Sequence, residues 1–295
     1  MSIKIFADAA SNLFQSILKR KELEIHVMNM HLTIGDREYN CYDDEIDIDE
    51  FSHIYYSEMK EGKKVRTSLV GPGDYLEAFE KEVSVGNQII CFTMAKGISG
   101  TYNSACLAKD EINEKYEKEM VYVVDSMTAG LGEGLQAIHA AELVKKGTTF
   151  EELKQECEEF KYDVRSEFTV DNIKYLLSTG RVNKLLSRFI NLVKVKILLK
   201  NNENSKIAFA GSTIGRKTSI KKLAKMVLEK IDHKREQIVY ITHCDCIEDA
   251  KKLKALLEEG NVKNIETYAY DLISGAHIGP DSLAVFYVAK KKKQK

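Results

Sequence analysis

Proline is scarce in this sequence, and its two occurrences share a context. The 295 residues include only two prolines, whereas average usage of about 5% gives more than a dozen. Both follow a glycine, in RTSLVGPGD and ISGAHIGPD. A Gly-Pro step forms a stiff, defined turn because proline fixes φ and glycine frees it. We expect these turns to hold the neighbouring Thr67, Ser68 and His277 towards a ligand.

Long apolar runs are also absent. No stretch approaches the roughly 18 apolar residues that span a bilayer, and Asp8 interrupts the short apolar run at the N-terminus, unlike a signal peptide. We therefore expect a soluble, cytoplasmic protein. The C-terminal KKKKQK is expected to be a solvated tail, with at most a transient electrostatic contact with an anionic membrane surface.

The chain has no strong charge imbalance and no metal-binding cysteine spacing. It carries 44 basic and 45 acidic residues, for a net charge of −1, which argues against a nucleic-acid partner. None of the six cysteines forms a CxxC pair, and Cys244-Asp245-Cys246 is too tight for the usual zinc site. We expect reduced core cysteines and no metal.

Strand-like and helical segments alternate through the first half of the chain. Apolar runs at 3–6, 88–94 and 120–124 each lead into a polar loop, and an amphipathic helical segment follows each loop. This alternation predicts a parallel sheet with helices on both faces. We expect a two-domain α/β protein in which 1–160 forms a three-layer α/β/α domain.

The second half has a different pattern. It predicts a smaller, two-layer α/β domain with a mixed sheet over 161–295, with the boundary near residue 160. The predicted helices cover 149–162, 171–178, 183–192, 216–234 and 247–258, and the predicted strands are KVKILLK, KIAFAG, QIVYITH, IETYAYDLI and LAVFYVA.

Hydroxyl-bearing loops follow the predicted parallel strands. Ser99 and Thr101 lie in GISGTYNSA, Ser126 lies in DSMTAGLGEG and Ser11 lies in ADAASN. The first turn of a helix suits a small anion, although each hydroxyl could instead cap its own helix. Because ligands bind at the carboxyl ends of parallel strands, we expect these loops to converge on one crevice.

His277 and Arg181 each allow two interpretations. A lone histidine in an apolar setting is more often structural, but beside a hydroxyl-lined crevice it could donate a hydrogen bond to an anion. Arg181, in STGRVNK, follows a glycine on a predicted helix-to-helix turn. It could be a surface cap, or it could pair with an acid across a gap between domains.

The stretch GSTIGRKT resembles a phosphate-binding loop but has the wrong spacing. Three residues separate Gly211 from Gly215, and Arg216 stands where a Walker A motif places lysine. We therefore exclude a nucleotide site. Arg216 and Lys217 begin a basic helix, which is either a solvated patch or a docking surface for an acidic partner.

Seven stretches together resemble the DegV family, the fatty-acid-binding proteins of bacteria. The chain departs from the family's pattern in places; for example, the usual Asp-Gly turn after KVKILL is NNENSK here. The matching stretches span the chain in the family's order and are ADAASNL, RTSLVGPGDY, GISGTYNSA, VVDSMTAGLGEG, STGRVNK, KVKILL and GAHIGPD.

The resemblance implies a long-chain fatty acid buried in a tunnel between two domains, with no other cofactor. Its carboxylate is expected near Thr67 and Ser99, the positions that match the family's ligand contacts. Ser68, Ser126 and His277 are further candidates for contacts with the carboxylate.

The resemblance also implies a carrier rather than an enzyme. Some family members present the buried fatty acid to a separate fatty acid kinase, which phosphorylates the carboxylate to an acyl phosphate. Arg181 is then expected to assist the phosphoryl chemistry, and the Arg216 and Lys217 patch is expected to dock the kinase.

An enzyme is the alternative. The DegV fold is similar to the substrate-binding half of dihydroxyacetone kinases, in which a histidine holds the substrate covalently. In that case His277 is expected to act on a small carbonyl or phosphate substrate.

Overall fold

The computed structural model describes residues 2–42, 48–190, 192, 194–232 and 236–290. Residues 291–295 of the expected solvated tail lie outside these ranges. The strands are β1 (Ile3–Asp8), β2 (Ile25–Met28), β3 (His31–Ile34), β4 (Arg37–Asn40), β5 (Val65–Thr67), β6 (Gln88–Thr93), β7 (Val121–Asp125), β8 (Val164–Val170), β9 (Val195–Asn201), β10 (Ile207–Ile214), β11 (Val239–His243), β12 (Ile265–Ala269) and β13 (Leu283–Val288).

Helices occupy most of the connections between these strands. Among the residues that the structure describes, no helix has the length and apolar character needed to cross a membrane. The helices are α1 (Gln15–Lys21), α2 (Ile48–Lys60), α3 (Pro72–Val83), α4 (Thr101–Lys115), α5 (Leu131–Lys145), α6 (Phe150–Phe160), α7 (Lys174–Ser178), α8 (Arg216–Lys230), α9 (Ile247–Glu259) and α10 (Leu272–Ile278), with short 3-10 helices at Ala9–Ser11 and Lys184–Phe189.

The first sheet is entirely parallel and has the strand order β2-β1-β6-β7. Strands β6 and β7 are nearly continuous runs of buried apolar side chains, QIICFT and VYVVD. Such runs are typical of parallel strands, because both of their faces are covered. Helices α3 and α4 pack against each other, and α5 packs against β1. A small antiparallel sheet, β4-β3-β5, stands beside these elements.

The second sheet is mixed and has the order β10-β9-β8-β13-β11-β12. Strands β11 and β12 are parallel, and the other neighbours are antiparallel. Alternate residues of β13 belong to two different cores. Ala284 and Phe286 pack in the core shared with the parallel sheet, whereas Val285 and Tyr287 pack in a smaller core that includes residues of α8 and α9.

The predicted fold class is confirmed: the protein is α/β, with one parallel and one mixed sheet. The strands of the parallel sheet end by Asp125, and those of the mixed sheet begin at Val164. The boundary near residue 160 stays a prediction.

Two local predictions were wrong. No strand was expected between the first two helical runs of the second half, but β8 (VRSEFTV) lies there and is buried along most of its length. The strand predicted over IETYAYDLI ends at Ala269, and the short helix α10 begins at Leu272. The Asp271 carboxylate caps α10 by accepting a hydrogen bond from the Ser274 N–H, at 2.6 Å.

Candidate functional site

A cavity lies where the carboxyl ends of the parallel strands face the mixed sheet. Its wall includes Met94 after β6, Met127 after β7, Phe168 on β8 and Ile273 on α10. The cavity measures about 140 Å³. A cavity of about 150 Å³ accommodates a ligand the size of benzene, so this space fits a segment of an apolar chain.

Five of the residues expected to serve the ligand line this one cavity. They are Thr67, Ser68, Ser99, Arg181 and His277. They come from distant parts of the chain, and the packing of the loops brings them together. A Cβ atom placed on Gly100 would lie 3.2 Å from a methyl group of Leu69, so the loop after β5 lies against the start of α4.

Thr67 and His277 contact each other directly. The Thr67 hydroxyl lies 3.2 Å from Nε2 of His277, and the other ring nitrogen, Nδ1, is buried and has no hydrogen-bond partner among the described residues. Burial, and secondarily the positive charge of Arg181, lowers the pKa of His277 to about 4. The imidazole is therefore neutral at pH 7, with one nitrogen able to donate a hydrogen bond and the other able to accept one.

Ser99 lines the cavity and is also hydrogen-bonded to the first residue of α4. Its hydroxyl lines the cavity and lies 2.9 Å from the Thr101 hydroxyl. It also accepts a hydrogen bond from the Thr101 N–H, at 3.3 Å, at the beginning of α4. A hydroxyl held from both sides is fixed in direction, which favours a defined contact with a ligand.

Arg181 connects two loops beside the cavity. It follows Gly180, whose φ of 73° is readily adopted only by glycine. Its Nε donates to the Ile98 carbonyl at 3.3 Å, and its Nη1 donates to the Thr179 carbonyl at 2.6 Å. Burial lowers the pKa of the guanidinium, and the group stays charged because the ordinary value is so high.

Ser68 and Ser126 are engaged by the backbone. The Ser68 hydroxyl accepts a hydrogen bond from the His31 N–H at 2.9 Å and still lines the cavity. The Ser126 hydroxyl is buried, donates to the Thr128 carbonyl and accepts from the Thr128 N–H, at 3.2 and 3.3 Å. Ser126 does not line the cavity, although its neighbour Met127 does.

Arg216 and Lys217 lie away from the cavity at the beginning of α8. Arg216 is half-buried, and its Nε donates to Asp249 on α9 at 2.8 Å. Lys217 is exposed. The two cations therefore differ, because one is paired within the protein and the other faces solvent.

Part of the cavity wall was not anticipated from the sequence. Ser205 and Lys206, from the turn between β9 and β10, line the cavity, as does Ser274 on α10. The NNENSK turn lacked any recognisable ligand-binding pattern. Ser274 directly follows the predicted strand IETYAYDLI, and without the helix α10 no pattern placed it one helical turn from His277.

The remaining wall is largely apolar, and the protein shows no metal centre in its described part. No group of three or more histidine, cysteine, aspartate or glutamate side chains there could hold a metal ion. The apolar side chains lining the cavity include Met30, Met94, Ile98, Phe168, Leu176 and Ile273.

The comparisons with known proteins agree on one family. The family model described as "Uncharacterised protein, DegV family" matches residues 2–290. The chain belongs to the DegV family. A curated relative, DegV domain-containing protein CPE0026 of Clostridium perfringens, is 32% identical over 289 residues, which cover 98% of each chain.

Solved structures of DegV proteins share the fold. The fatty-acid-binding DegV protein SAG1342 of Streptococcus agalactiae superposes with a TM-score of 0.84 at 18% identity, covering 99% of this chain and 100% of the other. The Streptococcus pneumoniae fatty acid kinase (Fak) B3 protein, loaded with linoleic acid, has a TM-score of 0.80 at 20% identity, with 98% and 100% coverage. At these identities the similarity shows the fold alone.

Proposed function

We propose that this DegV protein binds a long-chain fatty acid, with its carboxylate near Thr67 and Ser99. The observation that carries the proposal is the composition of the cavity wall, in which Thr67, Ser68, Ser99, Arg181 and His277 accompany a largely apolar lining. The similar structures from S. agalactiae and S. pneumoniae, named for fatty acid binding or loaded with one, support the same ligand class. Ser126 acts indirectly, by fixing the loop that carries Met127.

The energetics favour such a ligand. Each methylene that the protein buries contributes about 0.8 kcal/mol of favourable transfer free energy, so a chain with ten buried methylenes gains about 8 kcal/mol. A buried carboxylate without partners costs several kcal/mol. Donors from Thr67, Ser99 and the neutral His277 offset that cost, and the charge of Arg181 stabilises the anion.

The mass of the intact protein tests this proposal. Native mass spectrometry of protein purified from cells is expected to show a mass excess equal to a long-chain fatty acid, which is released and identified after denaturation. An unliganded mass that stays unchanged after incubation with oleate or palmitate would overturn the proposal.

We further propose that the protein is a carrier, acting in the cytoplasm, that presents the carboxylate to a separate fatty acid kinase. The fold shared with Fak B3 supports this role, as does the exposed Lys217. Arg181 lines the cavity, and in this proposal its charge stabilises the phosphoryl group. Arg216, which pairs with Asp249, positions the beginning of α8 as part of the docking surface.

A charge reversal tests the docking surface. Lys217→Glu is expected to slow acyl phosphate formation by a purified fatty acid kinase with ATP, without changing fatty acid affinity. Lys225→Glu on the same helix is the matched control, because the Lys225 side chain is also exposed, at 76%. Equal rates for the wild type and both variants would contradict the assignment of the patch.

The alternative is an enzyme that acts on a small carbonyl substrate through His277. The neutral imidazole is compatible with covalent attachment, but the largely apolar wall favours an acyl chain over a small polar substrate. A covalent dihydroxyacetone adduct that is lost in His277→Gln, in protein that binds no fatty acid, would favour the enzyme.

A further inference from the structure

The turn between β9 and β10 reaches from the mixed sheet to the end of the parallel sheet. The hydroxyl of Ser205, in this turn, donates a hydrogen bond to Oδ2 of Asp125 at 2.5 Å. Asp125 is the last residue of β7. Both residues are buried, with exposed fractions of 2% and 6%. The contact therefore joins two segments that are 80 residues apart.

The backbone of the turn also lies directly on the loop that follows β6. A Cβ atom placed on Gly97 would lie 2.2 Å from the carbonyl oxygen of Ser205. Such a distance is far inside van der Waals contact, so only glycine permits this approach. Asp125 also accepts a hydrogen bond from the Lys96 N–H at 3.2 Å, which ties the same loop to the same carboxylate.

The turn is held by its own hydrogen bonds, and the strand that follows it carries a bulge. The Asn202 side-chain oxygen accepts hydrogen bonds from the N–H groups of Asn204 and Lys206, at 2.9 and 3.1 Å. The ladder between β9 and β10 shifts register between Phe209 and Gly211. Such a bulge disrupts the ladder locally and bends the strand, so the pairing between β9 and β10 is interrupted a few residues below the tip.

This turn forms one wall of the cavity, through Asn201, Ser205, Lys206 and Ile207. Other parts of the wall belong to α10, whose residues pack in the large core, and to the loops after β6 and β7. We propose that the β9–β10 turn is the cover through which the ligand enters and leaves, and that the Ser205–Asp125 hydrogen bond latches it. The inference rests on the proposed function, because the ligand that passes this cover is the long-chain fatty acid proposed above.

Two substitutions weaken the latch in different ways. Ser205→Ala removes the hydrogen bond to Asp125, and Gly97→Ala places a methyl group against the Ser205 carbonyl. Asn204→Ala is the matched control, because the Asn204 side chain is exposed in the same turn and only its N–H contributes to the turn. Stopped-flow fluorescence with cis-parinaric acid measures association, and transfer to excess albumin measures release.

Release and association are both expected to accelerate about tenfold in Ser205→Ala, the effect of losing one hydrogen bond to a carboxylate. At least the same acceleration is expected in Gly97→Ala. Because a cover changes both rates together, Kd is expected to stay within about threefold of the wild-type value. Asn204→Ala is expected to match the wild type.

Three results would overturn the inference in different ways. Unchanged rates in both latch variants show that the turn is not the cover. Faster release with unchanged association shows that Ser205 contacts the ligand instead. If the wild type itself binds no cis-parinaric acid, oleate or palmitate, the proposed function is refuted, and the inference about the cover is refuted with it.

Discussion

Gly275 offers a sharp test of how α10, which carries His277, is held in place. A Cβ atom on Gly275 would lie 1.9 Å from the hydroxyl oxygen of Tyr56 and 2.9 Å from its Cζ. Tyr56 lies on α2 and is completely buried, so its ring has no free space into which to rotate. Gly275→Ala must therefore displace α10 away from α2.

The cost follows from overpacking, at about 1–3 kcal/mol. For a chain of 295 residues, an unfolding entropy of about 2.1 cal/mol/K per residue converts this cost into a fall in Tm of about 2–5 °C. We expect Gly275→Ala to show that fall in thermal unfolding followed by circular dichroism. Its fatty acid affinity is expected to fall as well, because His277 moves with α10.

A matched control and a compensating change isolate the cause. Gly73→Ala introduces the same methyl group in α3, where nothing lies within 4 Å, and is expected to raise stability by up to about 1 kcal/mol. Tyr56→Phe removes the atom at 1.9 Å, so combining it with Gly275→Ala is expected to recover part of the lost stability. The recovery is partial because Cζ remains at 2.9 Å.

Two outcomes would refute this reasoning. Gly275→Ala could prove as stable as the wild type, in which case α10 tolerates a methyl group where the geometry forbids one. Alternatively, the substitution could cost the same in the Tyr56→Phe background as in the wild type. That additivity would show that the tyrosine hydroxyl is not the atom that opposes the methyl group.

Three further predictions concern single side chains. Thr67→Val is expected to weaken fatty acid binding about tenfold, as measured by isothermal titration calorimetry. Ser84→Ala, at the exposed end of α3, is the control and is expected to leave the affinity unchanged. Equal affinities for the two variants would show that Thr67 does not contact the ligand. Because the folded pKa of His277 is about 4, below its unfolded value of about 6.5, the wild type is expected to lose roughly 3 kcal/mol relative to His277→Gln as pH falls from 7 to 4. A constant difference in urea unfolding across that range would contradict the neutral imidazole. Thr149→Ala removes the capping box of α6 and is expected to lower the free energy of unfolding by about 1 kcal/mol in the same assay. An unchanged free energy would show that water satisfies the N–H groups at the beginning of α6 equally well.

The position of the Ser99 loop at the cavity could be predicted because it follows from a general rule. Parallel strands place their following loops at one edge of the sheet, so the Ser99 loop was predictable from strand order. The two Gly-Pro steps also have local explanations. Pro72 is the first residue of α3, a position that suits proline. Gly279, with a φ of 82°, ends α10.

Strand β8 could not be predicted from its own residues. Its sequence VRSEFTV places Glu167 at a position that is almost completely buried, where a carboxylate alone is unfavourable. The structure provides the missing partner, because Lys230 at the end of α8 pairs with Glu167. The two residues are 63 positions apart, and only the folded arrangement brings them together.

Two details of the site could not be predicted from the sequence, because both depend on the geometry of the folded backbone. The hydroxyl of Ser126 is directed into its own loop by hydrogen bonds to Thr128, a choice that depends on backbone geometry. The approach of Ser205 to Asp125 depends on how two sheets are oriented. One signal was available and was missed: Asp271, directly before the apolar Leu272, is a favoured N-cap residue.

The position of β13 constrains how the protein can be made. This strand comes after all the others in the chain, yet it lies inside the mixed sheet, between β8 and β11. During synthesis at about 5–20 residues per second, β8 and β11 therefore emerge long before their shared neighbour. Each has an unpaired edge until then, and open edges invite pairing with other chains. Thr67 likewise meets His277 only after another 210 residues have been made, so the cavity wall that the two residues share also forms late in synthesis.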